Sequence, residues 1–236
     1  MVHVAQDFTV KFLAEGSPLT VLGTTLTLQD PTQHEVQHRV VAGWKMFYSL
    51  KSLLLHKTSS LKKRLRLFDA TVGSCVLWCS QSWSMRNVEN QLLRTTQRSM
   101  LRKIVGSSRN PETEYITWIQ DATHRAVQIA QDAGVRFWGD AHSRSKWLWA
   151  GHVARRPSET WLSRVTCWRD SHWQSVVDEL GNNRPMRPSR RVWTRWEDPI
   201  RRFSTMQGLR DWRSAAAERN DWADRAQAFT QWCTKV

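Results

Sequence analysis

The sequence is short of the features that mark membrane, secreted and zinc-binding proteins. No stretch reaches the roughly 18 to 20 consecutive apolar residues of a membrane span. Residues 1–28 contain no basic start followed by an apolar core and a small-residue cleavage site, so no secretory signal is found. The four cysteines form no Cys-x-x-Cys pair and no dense framework. We therefore expect no membrane partner and an intracellular, reducing setting.

Motifs of the common enzyme classes are missing as well. The sequence has no nucleotide-binding glycine loop, serine-nucleophile elbow or His-Glu metalloprotease motif. It also has no Tyr/Phe-x-Asp-Asp motif. Two-metal polymerase chemistry needs such clustered carboxylates to hold its metal ions. His142, His152 and His172 with Cys167 match no familiar zinc-ligand spacing. We expect no catalytic residues, no metal site and no cofactor in the chain alone.

Acidic residues are too few to balance the basic ones. Lysine and arginine number 35 against 21 acids, a net charge of +14, and 26 of the 35 are arginine. Such a charge raises encounter rates with polyanions. Arginine grips phosphate with two hydrogen bonds and stacks on bases. A GC-rich genome would explain arginine over lysine, but not the excess over acids. RNA, DNA or an RNA–DNA primer–template is therefore the expected partner.

The basic residues cluster on predicted helical faces. The first cluster contains no acid and consists of Lys57, Lys62, Lys63, Arg64 and Arg66. A spacing of four stacks a second set along one helix face: Arg94, Arg98 and Arg102. A third set is offset only by Glu197 and Asp198, and consists of Arg184, Arg187, Arg190, Arg191, Arg195, Arg201 and Arg202. Each could be a solvated helix face, but three such clusters favour contact with a phosphate backbone.

Tryptophans interleave with these cations. There are 15 tryptophans against two tyrosines, and Trp149 follows Lys146, while Trp196 follows Arg191 and Arg195. Aromatic faces beside cations suit stacking on unpaired bases, although most of the tryptophans are expected to be core. We predict stacking or RNA contact for Trp149, His152, Arg155, Arg191 and Arg195. For His152 the alternative is a structural role, with a hydrogen bond between helices.

The hydrophobic pattern predicts a mainly α fold. Residues 8–28 alternate around Gly16-Ser17-Pro18 and predict two short strands. Two strands alone are barely stable in water, so they either pack on helices or come from a larger sheet. Everything after Asp30 has helical periodicity. The predicted architecture is a helical bundle preceded by a short β-hairpin-like segment.

Capping and breaking residues bound the predicted helices. The first begins at Pro31 and runs through Val36, Val40, Trp44, Phe47, Leu50 and Leu54. A second helix carries an apolar seam of Leu61, Leu65, Phe68, Val72, Cys75 and Cys79. This position predicts that both cysteines are core thiols, and the alternative is a redox or metal role. Others are predicted near 87–106, 111–134 (through Ile116, Ile119, Ala126 and Ile129), 135–154, 190–203 and 208–232, with a basic, proline-punctuated connection at 181–190.

The order of these landmarks resembles the region beyond the palm of LINE-type, non-LTR retrotransposon reverse transcriptases. Residues 21–23 (VLG) resemble the step just past the palm, and residues 62–65 (KKRL) with 76–78 (VLW) and Trp83 resemble the thumb-side region. There the family's Tyr-Gly-x-Glu is replaced by residues 78–81 (WCSQ). Residues 101–106 (LRKIVG) resemble Leu-Arg-x-Ile-x-Gly, and 149–155 (WAGHVAR) resemble Trp-x-Gly-His-Val-x-Arg. The closing patterns are matched by Arg187, Pro188, Trp193, Trp196, Ile200, Asp211, Trp212, Ala216, Arg219, Trp222 and Phe229.

The resemblance implies a parent RNA-directed DNA polymerase that primes on nicked target DNA. It divides the chain into strands left from a palm-type sheet (1–30), a helical thumb-like domain (31–156), a connection (157–189) and a C-terminal helical segment (190–236). The parent's catalytic aspartates, which would hold magnesium, are not in this sequence. A nuclear location and contact with an upstream palm domain are implied by the resemblance alone.

Two other functions remain open at this stage. One is a domesticated DNA-binding or scaffold protein whose helices present a partner surface. The other is a non-functional retroelement fragment that folds only in part.

Overall fold

The computed structural model describes residues 2–5, 8–10, 17–27, 30–109, 111–167 and 195–235. Short antiparallel strands come first and helices follow, so the predicted fold class is confirmed. Derivation of the strands from a palm sheet and the four segment boundaries stay predictions. Two compact units divide the chain. The first unit is Met1–Cys79 with Asn87–Arg136, and the second unit is Ser80–Arg86 with Phe137–Val236.

Two antiparallel hairpins form the strand region. β1 (Val2–Ala5) pairs with β2 (Phe8–Val10), and β3 (Leu19–Val21) pairs with β4 (Thr24–Leu26). Between β3 and β4 stand Leu22 at φ 48° and Gly23 at φ 79°, and two positive φ values are what a type I′ turn requires. The second of the two predicted strands, after Pro18, is therefore wrong as a single strand, because the chain reverses at Leu22.

The second hairpin packs on α1 (Pro31–Ser49) through a buried ion pair. Glu35 Oε2 accepts a hydrogen bond from the Thr25 amide at 2.6 Å, and Glu35 Oε1 accepts one from Arg39 Nε at 2.6 Å. Arg39 also donates to the Gly23 carbonyl. Both charged side chains are buried. Because each charge is paired and hydrogen-bonded, burial does not leave it uncompensated. Packing on helices, one of the two expectations for these strands, is what the structure shows.

The helices of the first unit surround one apolar core. After α1 come α2 (Lys51–Leu54), α3 (Leu61–Phe68), a π-helical turn (Asp69–Gly73), α4 (Ser74–Val76), α5 (Asn87–Val105) and α6 (Tyr115–Asp132). Gly106 at φ 75° follows α5 and Gly134 at φ 79° follows α6, as expected of C-terminal caps. The core side chains are Val36, Val40, Phe47, Leu54, Leu65, Phe68, Val72, Val76, Leu93, Met100, Leu101 and Ile104.

The π-helical turn changes which residues face this core. A π turn inserts one extra residue into the helical register. The buried seam therefore passes from Val72 to Val76, and Cys75 is only half-buried. The helix has ended before Cys79, which has φ 55° and is also half-buried. The prediction that both cysteines are core thiols is wrong for this reason.

Alanines, not isoleucines, form the buried face of α6. Ala122, Ala126 and Ala130 are buried against the rest of the first unit, whereas Ile116 is 58% exposed. Small side chains allow α6 to approach α5 closely. The predicted helix is confirmed, but the expectation that Ile116 belongs to its apolar seam is wrong.

The second unit is built around α7. Its elements are a 3₁₀ turn (Ser80–Ser82), α7 (Trp138–Ala154), α8 (Trp161–Cys167), α9 (Asp198–Met206), α10 (Trp212–Ala215), α11 (Arg219–Asp224) and α12 (Ala226–Lys235). The break at Gln207 and Gly208 is confirmed, since Gly208 has φ 73°. The single helix predicted beyond it is wrong. Asp211 caps α10 by accepting from the Arg213 and Ser214 amides, and the chain then turns twice more.

Within the described ranges, no helix combines the length and the apolar character that a bilayer crossing demands.

Candidate nucleic-acid interface

The arginine row lies on α5 as predicted. Leu93, Met100 and Ile104 bury one face of this helix in the core of the first unit. Arg94 is exposed and Arg98 is half-buried on another face. One turn of α-helix rises about 5.4 Å, so residues four apart lie almost above one another. The helix therefore presents a continuous line of guanidinium groups.

Arg98 shows that this line is electrostatically uncompensated. Partial burial lowers the pKa of its guanidinium, and the positive charges of Arg94 and Arg102 lower it further. No carboxylate of a described residue forms a salt bridge with any of the three. Three like charges in a row destabilise the folded state unless an anion is near. Loss or neutralisation of one of these charges should therefore relieve repulsion within the row.

Arg102 is the most fixed of the three. Its Nη1 donates to Thr123 Oγ1 of α6 at 2.8 Å, and that hydroxyl donates in turn to the Ile119 carbonyl at 2.6 Å. A guanidinium has five donor hydrogens, so this bond leaves others available. The bond holds the head group at the boundary between α5 and α6, where it is half-buried.

The second basic cluster lies at the start of α3. Ser60 caps this helix by accepting from the Lys63 amide, and Lys62, Lys63 and Arg66 are all exposed. Arg64 differs from them, because it is buried and donates to the carbonyls of three residues: Leu54 at 3.1 Å, Ile104 at 2.8 Å and Ser59 at 3.3 Å.

The Arg64 bond to Ile104 places two clusters at one end of the first unit. Ile104 is in the last turn of α5, directly after Arg102 and Lys103. The start of α3 therefore lies beside the end of α5. Sequence reasoning counted Arg64 with the surface cations, and it missed this structural role because the bond spans 40 residues. Contact between nucleic acid and the exposed members of these two clusters stays a prediction.

The second unit holds three of the predicted contact residues near the end of α7. Trp149 is half-buried and stacks on His152, with ring centroids 4.8 Å apart and 20° between the planes. Arg156 donates to His152 Nε2 from Nε at 3.2 Å. The histidine is thus bonded within its own segment, not between helices as the structural alternative supposed. Its role in RNA contact stays a prediction.

Arg155 turns toward the protein. Its Nη1 donates to the Ala216 carbonyl at 2.6 Å. Desolvation lowers the pKa of this guanidinium, and the positive charge of Arg219 lowers it further. This arginine therefore ties α7 to the segment after α10, while contact with nucleic acid through its other donors stays a prediction.

A tryptophan pair explains the glycine that precedes His152. Trp147 and Trp222 stack with centroids 3.8 Å apart and 6° between their planes. Each indole Nε1 donates to the other residue's carbonyl, at 2.7 and 2.8 Å. A Cβ on Gly151 would lie 2.5 Å from the Trp222 ring, so only glycine allows this approach. Sequence reasoning missed the pair, whose members are 75 positions apart.

The third basic cluster is only partly described. Arg191 and the other arginines from 184 to 190, with Trp193, lie outside the described residues, as does the connection at 181–190. Arg195 is half-buried, and its amide donates to Asp198 Oδ2 at 2.8 Å. Trp196 donates from Nε1 to the Gln81 carbonyl at 2.7 Å. The cluster's role in binding stays a prediction.

Buried polar side chains of α7 and their neighbours form a polar centre in the second unit. His142 stacks on Trp83 at 5.8 Å, and desolvation lowers the pKa of His142 to about 3. Lys146 is buried and donates to the Trp83 carbonyl at 2.9 Å, and desolvation lowers its pKa to about 8. Burial raises the pKa of the Cys233 thiol to about 11. At neutral pH the histidine and the thiol are therefore uncharged.

Metal ligands do not converge in the described part of the chain. No group of three His, Cys, Asp or Glu residues there is arranged to hold a metal ion. His172 and the side chain of Cys167, which belong to the zinc alternative, lie outside the described residues.

The chain is similar to an uncharacterized transposon-derived protein of Caenorhabditis elegans. The two are 26% identical over 206 residues, which cover 85% of this chain and 67% of the relative. No protein-family profile matches the chain. No solved structure matches it. The similarity indicates a transposon-related origin for this chain.

Proposed function

We propose that the chain is the nucleic-acid-binding thumb and C-terminal segment of a LINE-type reverse transcriptase, and that α5 of the first unit grips the phosphate backbone. The similarity to a transposon-derived protein supports the lineage. The ordered landmarks described above support assignment to the region beyond the palm. Since the sequence has no Tyr/Phe-x-Asp-Asp, this segment holds nucleic acid and does not copy it.

The single observation that carries the proposal is the charge on α5. Arg94, Arg98 and Arg102 lie in a row, and the pKa of Arg98 is lowered by burial and then by its two neighbours. Like charges four residues apart destabilise a helix, whereas an acid in the row would stabilise it. A phosphate backbone would supply the missing negative charge and release its own counterions. Lys62, Lys63 and Arg66 enlarge the positive surface at the same end of the first unit.

The test is a triple variant, Arg94→Gln, Arg98→Gln and Arg102→Gln. Binding is measured to single-stranded RNA, duplex DNA and an RNA–DNA primer–template over a salt series. We expect affinity to fall for all sequences alike, and the slope of log K against log salt to become shallower by about 0.9 for each lost phosphate contact on a duplex.

A charge-matched control separates the row from net charge. Arg144, Arg164 and Arg210 are exposed in the second unit and lie in none of the three basic clusters, and their replacement by Gln also removes three positive charges. We expect this control to change the slope much less than the α5 variant. Equal effects of the two triples would show that only net charge matters. An unchanged affinity and slope in the α5 variant would refute the proposal.

The choice of ligand distinguishes the other functions. Preference for the primer–template or structured RNA supports a thumb. Sequence-selective duplex binding with no affinity for hybrids would indicate a domesticated DNA-binding protein instead. Weak, equal binding to all three, no better than that of a basic peptide of matched charge, would indicate a retroelement fragment without this function.

A further inference from the structure

A cavity opens at the end of α5, beside the start of α6. Its volume is about 360 Å³, within the usual range of about 300 to 1,000 Å³ for small-molecule sites. It is lined by Ser99, Arg102, Lys103, Gly106, Ser107 and Trp118. Two cations, two hydroxyls and an indole thus line one concavity, and no acid is among them. Glu112 and Glu114 are exposed on the connection that follows but do not line it.

The cationic side of the cavity continues the arginine row. Arg102 belongs to both, and its bond to Thr123 holds it in place. Lys103 is exposed next to it. These cations also offset the negative end of the α5 dipole, which accounts for part of the charge. Lys103 has three donor hydrogens, and Arg102 keeps donors beyond the one given to Thr123, so both can also contact phosphate oxygens.

The aromatic side of the cavity has fixed orientation. Trp118 donates from Nε1 to the Ser108 carbonyl at 3.2 Å, which holds the edge of the indole. Tyr115 lies one turn earlier on α6, with its ring 5.8 Å from that of Trp118 and 42° between the planes. Arg109 lies 5.6 Å over the Tyr115 ring and donates to the Thr113 carbonyl.

Exposed aromatic faces next to cations have a specific use in nucleic-acid binding. Tyr115 is 56% exposed and Trp118 is half-buried, so neither ring is fully covered by protein. Every base has a π face that can stack on such a ring, and phosphates can contact cations beside it. Bases inside a duplex are already stacked on their neighbours. Only an unpaired base can use these rings.

We infer that this cavity binds an unpaired nucleotide adjacent to the duplex held by the α5 row. The base stacks on Trp118, with Tyr115 beside it, and the flanking phosphates contact Lys103 and Arg102. The inference rests on the proposed function, since the shared Arg102 places the cavity at the end of the backbone-binding row. The recognised chemistry is a base face plus phosphate, so RNA and DNA single strands are both tested.

The experiment compares a blunt RNA–DNA hybrid with the same hybrid carrying a short single-stranded overhang. The overhang is RNA or DNA, and each is also made with abasic sugars that keep the phosphates and remove the bases. We expect the full chain to bind the normal overhang about tenfold more tightly than the abasic one, as base–aromatic stacking predicts. 2-Aminopurine at the first unpaired position should lose fluorescence on binding.

Three variants assign this preference to the cavity. Trp118→Leu should abolish the preference for bases and the 2-aminopurine quenching, with the blunt hybrid bound as before. Trp118→Phe keeps an aromatic face but loses the Ser108 bond, so it should keep most of the preference. Lys103→Gln changes an exposed side chain, and it should weaken binding of both overhangs relative to the blunt hybrid. Circular dichroism and melting of each variant confirm that it is folded.

The outcomes separate the two proposals. Equal affinity for normal and abasic overhangs, or a preference that survives Trp118→Leu, overturns the cavity assignment while the α5 row stands. Loss of the preference in Trp118→Phe as well would show that the indole bond, not stacking, is responsible, and would also overturn it. If the α5 triple variant binds the blunt hybrid unchanged, the proposed function fails on its own measurement.

Discussion

In the first unit, Arg94 and Arg98 line a surface with no carboxylate paired to them among the described residues. In the second unit, three arginines have protein partners. Arg201 donates to Glu197 at 2.7 Å, and Arg155 donates to the Ala216 carbonyl at 2.6 Å. Arg213 stacks on Trp212 at 4.5 Å. Arginine thus supplies exposed charge on α5, whereas these three arginines of the second unit contact protein groups.

The tryptophans also differ between the units, with the exposed Trp161 of the second unit as an exception. Trp138, Trp147 and Trp222 of the second unit are buried. In the first unit Trp78 is 51% exposed and Trp118 is half-buried. Arginine and tryptophan are therefore exposed at some positions of the chain and buried or bonded to other protein groups at others. Gly151 and Trp222 therefore maintain the packing of the second unit.

The largest effect should come from breaking the tryptophan pair. Trp222→Ala removes the ring stacked on Trp147 and the bond to the Trp147 carbonyl. Loss of a buried indole should lower the free energy of unfolding by about 5 kcal/mol, measured by urea titration. Trp161→Ala is the control, because Trp161 is 78% exposed, and it should change stability by less than about 1 kcal/mol. Similar effects of the two would contradict the assignment of Trp222 to the core.

Acid should weaken the second unit through His142. The pKa of His142 is lowered from 6.5 to about 3, so between these values the unfolded chain binds the proton and the folded protein does not. The contribution of His142 to stability is therefore present above pH 6.5 and is lost as the pH falls through 3, by roughly 5 kcal/mol in total. His142→Gln cannot titrate. The unfolding free energies of wild type and variant are compared from pH 7 to 3.5. Their difference should change by most of the loss expected for His142, and a constant difference would contradict this prediction.

Two arginine variants, one from each unit, compare the effects of arginine on stability and on binding. Arg155→Gln should lower the free energy of unfolding by about 1 to 2 kcal/mol, because the Ala216 carbonyl loses its donor, and should leave hybrid affinity within about twofold. Arg98→Gln should do the reverse. It should weaken binding several-fold and leave stability unchanged or raised by up to about 0.5 kcal/mol, because repulsion within the row is relieved. Loss of affinity in Arg155→Gln without loss of stability would instead support Arg155 as a nucleic-acid contact.

Helix positions and the arginine row could be predicted from the sequence because they depend on local spacing. Gly106 and Gly134 end α5 and α6 through their own backbone conformation, and Arg94, Arg98 and Arg102 share a face by helical geometry alone. The rest depends on pairings that spacing does not encode. One extra residue in the π-helical turn moved the seam from Cys75 to Val76.

The candidate site shows the same division. The row was predictable, but the cavity was not, because Trp118 reaches the end of α5 only when α6 packs against it. Arg64 and Arg155 were grouped with surface cations, since the sequence does not show which carbonyls lie near a long side chain. Contacts over 40 and 61 positions decided their roles.

The smallest expected effect concerns the exposed hairpin of the first unit. Leu22 has φ 48° and is 89% exposed, so it carries the cost of left-handed backbone and gains little from burial. Asparagine tolerates this conformation and is favoured before glycine in type I′ turns. Leu22→Asn should therefore raise the free energy of unfolding by about 0.5 to 1 kcal/mol in urea titration. Leu22→Ala keeps the strained backbone with a smaller side chain and should change little. If both Leu22→Asn and Leu22→Ala lower stability, the leucine side chain packs against the protein more than its exposed fraction indicates.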